Sequence, residues 1–140
     1  MSQKSMCATF VIQNALLASR LSKRVGNRLS AHGISLTEYL VMHYLDNSPH
    51  KAVPRIELAE HVGMSASGVT RLIAPMEKNG IVEKEANPRD ARQSLVRLSK
   101  TGQRLYKEAS VSFGNITGSL VGNLSQTQLV KLVEFYSKVL

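Results

Sequence analysis

Apolar residues along this 140-residue chain fall into two rhythms, one close to the helical period and one close to alternation, and their order predicts the architecture. Phe10, Leu17, Leu21, Val25 and Leu29 recur at helical spacing, which predicts a long first helix from Met6 to Ala31, stopped at His32-Gly33. Ser35-Leu36-Thr37-Glu38 has the form of a capping box, in which hydroxyl and carboxylate satisfy orphan N–H groups reciprocally. It opens a second helix from Leu36 to Asp46, whose expected buried side is Leu36, Leu40, His43 or Tyr44, and Leu45. Asn47-Ser48-Pro49 ends it. Pro54 suits the first turn of a short third helix reaching Val62, with Gly63 as its stop. Ser65 caps a fourth helix to Asn79, closed by Gly80.

The rhythm then changes. Ile81–Glu85 and Ser94–Leu98 alternate in part and read as two antiparallel strands joined by a long basic tip, Ala86–Gln93. Helical spacing returns from Lys100 to Asn123, weakened at Gly114 and Gly118. A second capping box, Ser125-Gln126-Thr127-Gln128, starts a terminal amphipathic helix over 126–140 with Leu129, Leu132, Val133, Tyr136 and Val139 on one side. The expected fold class is mainly α with a small β-hairpin (α+β), in one domain without internal repeats.

Composition narrows the class. With 43% hydrophobic and 20% charged residues the chain is not a disordered one. No apolar run approaches the ~18 residues of a membrane span, and the N-terminal pattern is not that of a secretory signal. The single cysteine, Cys7, excludes an intrachain disulfide framework and fits a cytoplasmic protein. The net charge of +8 points to an acidic partner, nucleic acid first among them. Residues 1–35 hold five bases and no acid, residues 36–70 two bases against four acids, and residues 71–104 eight bases against four acids. In the first segment Arg20, Lys23, Arg24 and Asn27 draw one basic stripe, which a solvated helix face explains as well as a binding surface does.

The central segment carries the chemistry. A short helix 54–62, a turn at Gly63-Met64 and a helix from Ser65 have the grammar of a helix-turn-helix. In the second of these helices Val69, Leu72, Ile73 and Met76 form the expected core face. Ser65, Ser67, Gly68, Thr70 and Arg71 lie around the other side, where a recognition helix presents small hydroxyls and a guanidinium to base edges and phosphates. The plain alternative is that Ser65 is only a cap and its neighbours a solvated face. The hairpin tip gathers Arg89, Asp90 and Arg92 beside Pro88, a projection able to place an arginine in a narrow minor groove, with Asp90 orienting a neighbouring arginine.

The run from Arg55 to Val82, followed by Asp90-Ala91-Arg92 and then Val96-Arg97-Leu98-Ser99-Lys100-Thr101-Gly102, resembles the MarR family of bacterial transcriptional regulators over nearly the whole chain. The resemblance implies a homodimeric winged helix-turn-helix, with residues 1–34 and 100–140 as dimerisation helices and 35–99 as the DNA-binding region. It further implies a repressor that binds a pseudo-palindromic duplex operator and is released by a small aromatic or phenolic effector. Matched position by position, Ser65, Ser67, Thr70 and Arg71 fall on the recognition helix, and Asp90 and Arg92 on the wing. Two recognition helices about a two-fold axis would meet major grooves ~34–36 Å apart. The competing function is a winged-helix module for protein contact or DNA architecture without sequence preference.

Other residues invite sharper readings. One branch of the family senses peroxides through a first-helix cysteine with tyrosines nearby, but the first helix here has no tyrosine, so Cys7 reads as an ordinary thiol. Glu57 and His61 stand four apart without a third ligand, and His32, His43 and His50 are scattered, so neither metal nor cofactor is expected. His43 reads as a hydrogen-bonded core or pocket residue. No phosphate loop, nucleophile motif or paired carboxylates suggest an enzyme. Pro75, well inside the fourth helix, predicts a kink or loss of regularity after Ala74.

Overall fold

The computed structural model describes residues 2–140. Helix α1 spans Gln3–Leu29, begun by Ser2, whose hydroxyl accepts the Ser5 N–H at 3.1 Å. A single tight turn over Ser30–His32 follows. Only Val25 and Leu29 of α1 are buried, whereas Phe10 and Leu17, on the same apolar side, are exposed. At 27 residues the helix is about 40 Å long, so its first turns run past the core that its last turns join.

The capping box at Ser35 forms as expected and starts α2, Leu36–Asn47. Its buried residues are Tyr39, Val41, Met42 and Leu45; of the expected side Leu36 and Tyr44 are half-buried, while Leu40 and the alternative His43 are exposed. This helix packs against α1, α3, β3 and α5, so its interior positions do not reduce to one stripe.

Strand β1, Ala52–Pro54, was not foreseen from the alternation, because three residues are too few to show a period. It turns the expected hairpin into a three-stranded antiparallel sheet in the order β1-β3-β2. Strands β2, Val82–Ala86, and β3, Ser94–Leu98, pair from Val82↔Leu98 to Ala86↔Ser94, and Val53 faces Val96 on the other side. Between β1 and β2 lie α3, Arg55–Val62, and α4, Ala66–Lys78. Val69, Ile73 and Met76 of α4 are buried and Leu72 half-buried, as the spacing predicts. Pro75 leaves the Arg71 carbonyl without its usual helical donor, yet α4 continues to Lys78 rather than losing regularity after Ala74.

The fully buried side chains of the core include Leu29, Met42, Leu45, Leu58, Ile73, Met76 and Val96, so it is closed by α1's end, α2, α3, α4 and the sheet together. Ser99 leads into α5, Lys100–Val121, accepting the Gly102 N–H at 2.9 Å while its own N–H reaches the Ile81 carbonyl at 3.0 Å. Gly102 is buried at this joint, and a Cβ there would lie 2.0 Å from the Ile81 oxygen. The second capping box starts α6, Gln126–Val139, which has no buried residue. It reaches α1 through Tyr136, whose hydroxyl bonds to Asn14 Oδ1 and whose ring lies 6.2 Å from that of Phe10. Among the described residues no helix is long and apolar enough to cross a membrane.

Candidate nucleic-acid interface

The turn between α3 and α4 is built by Gly63, whose φ of 67° ends α3 in the left-handed conformation that glycine adopts without strain. The Met64 N–H then closes back on the Ala59 carbonyl at 2.9 Å, and Ser65 begins α4 by accepting the Gly68 N–H at 3.1 Å. This brings Ser65, Ser67, Thr70 and Arg71 onto one exposed end of α4, opposite its buried face. Ser65 Oγ lies 3.2 Å from Ser67 Oγ. The Thr70 hydroxyl donates to the Ala66 carbonyl at 3.1 Å, so outward it offers an acceptor oxygen and a methyl group. Arg71 is exposed and pairs with no acid among the described residues.

The tip between β2 and β3 is ordered by its own polar side chains. Asn87 Oδ1 accepts the Arg89 N–H at 3.0 Å, and Asp90 Oδ1 accepts the Arg92 N–H at 3.0 Å. The same Asp90 oxygen lies 3.5 Å from Arg92 Nε, so the carboxylate holds both the backbone and the guanidinium of Arg92. The Arg92 side chain is nonetheless 94% exposed, so this pair contributes little to stability and leaves the cation available. Arg89 is also exposed.

Several supporting residues were not singled out from sequence. Arg97, opposite Glu83 in the sheet register, bonds Glu85 Oε1 at 3.1 Å and approaches Glu83 Oε1 at 3.8 Å, pinning β2 to β3. Its Nε is buried without a hydrogen bond. Arg55 bonds Glu77 at 3.0 Å, and the Tyr44 hydroxyl donates to Glu57 Oε2 at 2.8 Å. Tyr44 also stacks on His61 at 3.8 Å, so Glu57 and His61 are occupied with α2 rather than poised as ligands. Among the described residues no three His, Cys, Asp or Glu side chains assemble as a metal site. The acidic side chains 57, 77, 83, 85 and 90 thus each have a partner, while Arg71, Lys78, Lys84 and Arg89 have no acidic one among the described residues. The alternation of Glu83 and Glu85 across from Arg97 was the one available signal, and reading it required the strand register.

A second feature lies where α1, α2 and α5 meet. An apolar pocket of about 280 Å³ is lined by residues including Leu21, Leu36, Leu40, Phe113, Thr117 and Leu120, with no charged side chain. Beside it, hydrogen bonds join Tyr39 to Ser110 at 2.9 Å, His43 to Tyr106 at 2.7 Å and His32 to Ser112 at 2.8 Å. His43 is therefore hydrogen-bonded as expected, and it lines a separate pocket with Tyr44, Asn47 and His61 instead of the core. Burial, offset in part by the Ser110 hydrogen bond, pushes the Tyr39 phenol above the ordinary tyrosine range. Cys7 is an exposed free thiol on α1.

Residues 32–93, which contain this helix pair, β2 and the tip of the wing, match the model of the MarR family. The chain is 25% identical over 124 residues to the transcriptional repressor MprA of Escherichia coli K12, covering 89% of this chain and 70% of that protein. Its fold is that of BldR, a transcriptional regulator from Sulfolobus solfataricus, with a TM-score of 0.86 at 19% identity, covering 99% of this chain and 97% of that one. It is also that of a cysteine-to-serine variant of Escherichia coli MarR complexed with operator DNA, with a TM-score of 0.84 at 19% identity, covering 100% and 99% of the two chains.

Proposed function

We propose that this chain is a member of the MarR family and a cytoplasmic, homodimeric regulator that binds a pseudo-palindromic duplex operator, represses transcription and is released by a small aromatic or phenolic effector. The observation that carries the DNA-binding part is the conjunction of two exposed cationic surfaces. The exposed start of α4 offers Ser65, Ser67, Thr70 and Arg71, and the wing projects Arg89 and Arg92. Base-edge readout falls to Arg71 and the α4 hydroxyls, because a bidentate arginine discriminates a base by ~1–3 kcal/mol. The wing arginines serve phosphate and the minor groove, and Asp90 positions Arg92. That a repressor relative aligns with 89% of the chain, and that a protein of the same fold is known bound to operator DNA, supports the same reading.

The homodimer is supported by apolar side chains that the single chain leaves uncovered: Phe10, Val11 and Leu16 on α1, and Val133, Phe135 and Val139 on α6 are all exposed. The pocket lined by Leu36, Leu40 and Phe113 is of a size and polarity that suit a small aromatic effector.

Selection from randomised duplexes tests the reading, with a two-fold symmetric consensus as the expected outcome. On the selected duplex, Arg92→Ala is expected to weaken binding across sequences and reduce the salt slope by about one, and Arg71→Ala to change the preferred base. Wild-type affinity and preference in both variants, or no consensus at all, would favour a winged-helix module that binds protein or DNA without sequence preference.

A further inference from the structure

We infer that the ion pair between Arg55 and Glu77 is a positioning strut for the recognition helix, setting sequence discrimination without touching DNA. The inference rests on the duplex-binding role given to α4 above.

Arg55 is the first residue of α3 and Glu77 the penultimate residue of α4. Their side chains meet at 3.0 Å and are 28% and 31% exposed, so the pair is partly withdrawn from water. Each residue stands at the end of its helix that disfavours its charge. The start of a helix carries partial positive charge and its end partial negative charge, so an arginine at the former and a glutamate at the latter both oppose the backbone dipole. Separately each would weaken its helix; together they cancel. A local rule broken twice, in a way only the partner repairs, marks a contact kept for the arrangement it imposes.

The need for a tie lies in how α4 is otherwise held. Val69, Ile73 and Met76 bury one face of it, but apolar contact has no direction and tolerates small rotation or sliding. Pro75 removes a backbone hydrogen bond just before Glu77, so the last turns of α4 are the least self-supported. Arg55–Glu77 is the one side-chain hydrogen bond joining α3 to α4 among the described residues. It therefore fixes the far end of the helix whose near end carries Ser65, Ser67, Thr70 and Arg71. A rotation of α4 would move those side chains relative to base edges while leaving general attraction to phosphate intact.

The test compares the selected duplex with a scrambled one across a salt series, using the full chain. Arg55→Met is expected to lower affinity for the selected duplex ~10-fold, within the range of pair couplings, with scrambled-duplex affinity and salt slope unchanged. Arg55→Lys should recover most of the discrimination. The reversed pair, Arg55→Glu with Glu77→Arg, should restore it and melt at or above the wild type, because each charge then agrees with its helix dipole. A salt slope lower by about one in Arg55→Met, with equal losses on both duplexes, would make Arg55 a phosphate contact and overturn the inference. Wild-type discrimination in Arg55→Met, or no recovery in the reversed pair, would overturn it as well. If the wild-type chain selects no duplex, the regulator reading fails. The strut is then judged by melting alone: it stands if the reversed pair melts above both single reversals and falls if it does not.

Discussion

The winged helix and the terminal helices obey different accounts of the same apolar residues. Between Ile34 and Leu98 large apolar side chains close on one another: Leu45, Leu58, Ile73 and Met76 have no exposed surface. In α1 and α6 residues of the same kinds stand in water, with Phe135 56% and Val139 73% exposed. Both regions have regular helices with satisfied caps, so local propensity does not distinguish them. The difference is whether an apolar stripe finds its complement within the chain. One region is a complete core, and the other has the character of half an interface.

That contrast is broken most directly from inside. Leu45→Ala removes a fully buried side chain that the surrounding helices and sheet cannot collapse around, and should cost ~2–5 kcal/mol in denaturant unfolding. The same truncation at Phe135 in an isolated chain would cost far less. Phe135→Asp instead separates fold from assembly. It should leave the winged-helix signal intact while shifting sedimentation from dimer to monomer, and should weaken operator binding ~100-fold or more as bivalent engagement is lost. A monomeric wild type, or an unchanged dimer in Phe135→Asp, would remove the interface half of the contrast.

The periodic pattern made most of this legible, and the exceptions have physical causes. Ser35 and Ser125 announced their helices because a capping box is a local device, written and executed within four residues. Phe10 and Leu17 mark the limit of such a pattern, because a stripe reports that a face is apolar and not what covers it. Leu40 misled for a related reason: α2 is contacted on several sides, and Leu40 borders a pocket instead of filling the core. Strand β1 is too short to alternate and exists because β3 offers it an edge. At the candidate interface the cationic residues could be read from composition and spacing. The ties that hold them, Arg97 to Glu85 and Arg55 to Glu77, could not, since they join residues 12 and 22 positions apart.

A smaller effect sharpens the border between the regions. Gly102 lies where α5 leaves the sheet, and a methyl group there meets the Ile81 carbonyl, which already accepts the Ser99 N–H. Backbone on both sides must shift, so Gly102→Ala should cost ~1–3 kcal/mol despite the higher helix propensity of alanine. The loss belongs to the winged helix, because it is the end of the sheet that is displaced. Thermal unfolding that falls equally in the Phe135→Asp background would confirm that the joint is independent of assembly.

The least effect concerns the seam itself, where Tyr39 of α2 meets Ser110 and Tyr106 of α5. Burial raises the Tyr39 pKa, so the fold favours the neutral phenol. A folded pKa above the unfolded value contributes stability that is fully present below the unfolded pKa of about 10 and is lost as pH rises through the folded one. Wild-type stability should therefore decline on the alkaline side of about pH 10 by an amount that Tyr39→Phe abolishes. Tyr44, raised chiefly by its hydrogen bond to Glu57 and far more open to solvent, should behave the same way in sign but more weakly, since solvent screens it. Unfolding followed across the alkaline range in both variants separates them. If Tyr44→Phe flattens the limb more than Tyr39→Phe does, the seam between the regions is wetter than its burial requires, and the closed core ends at α2.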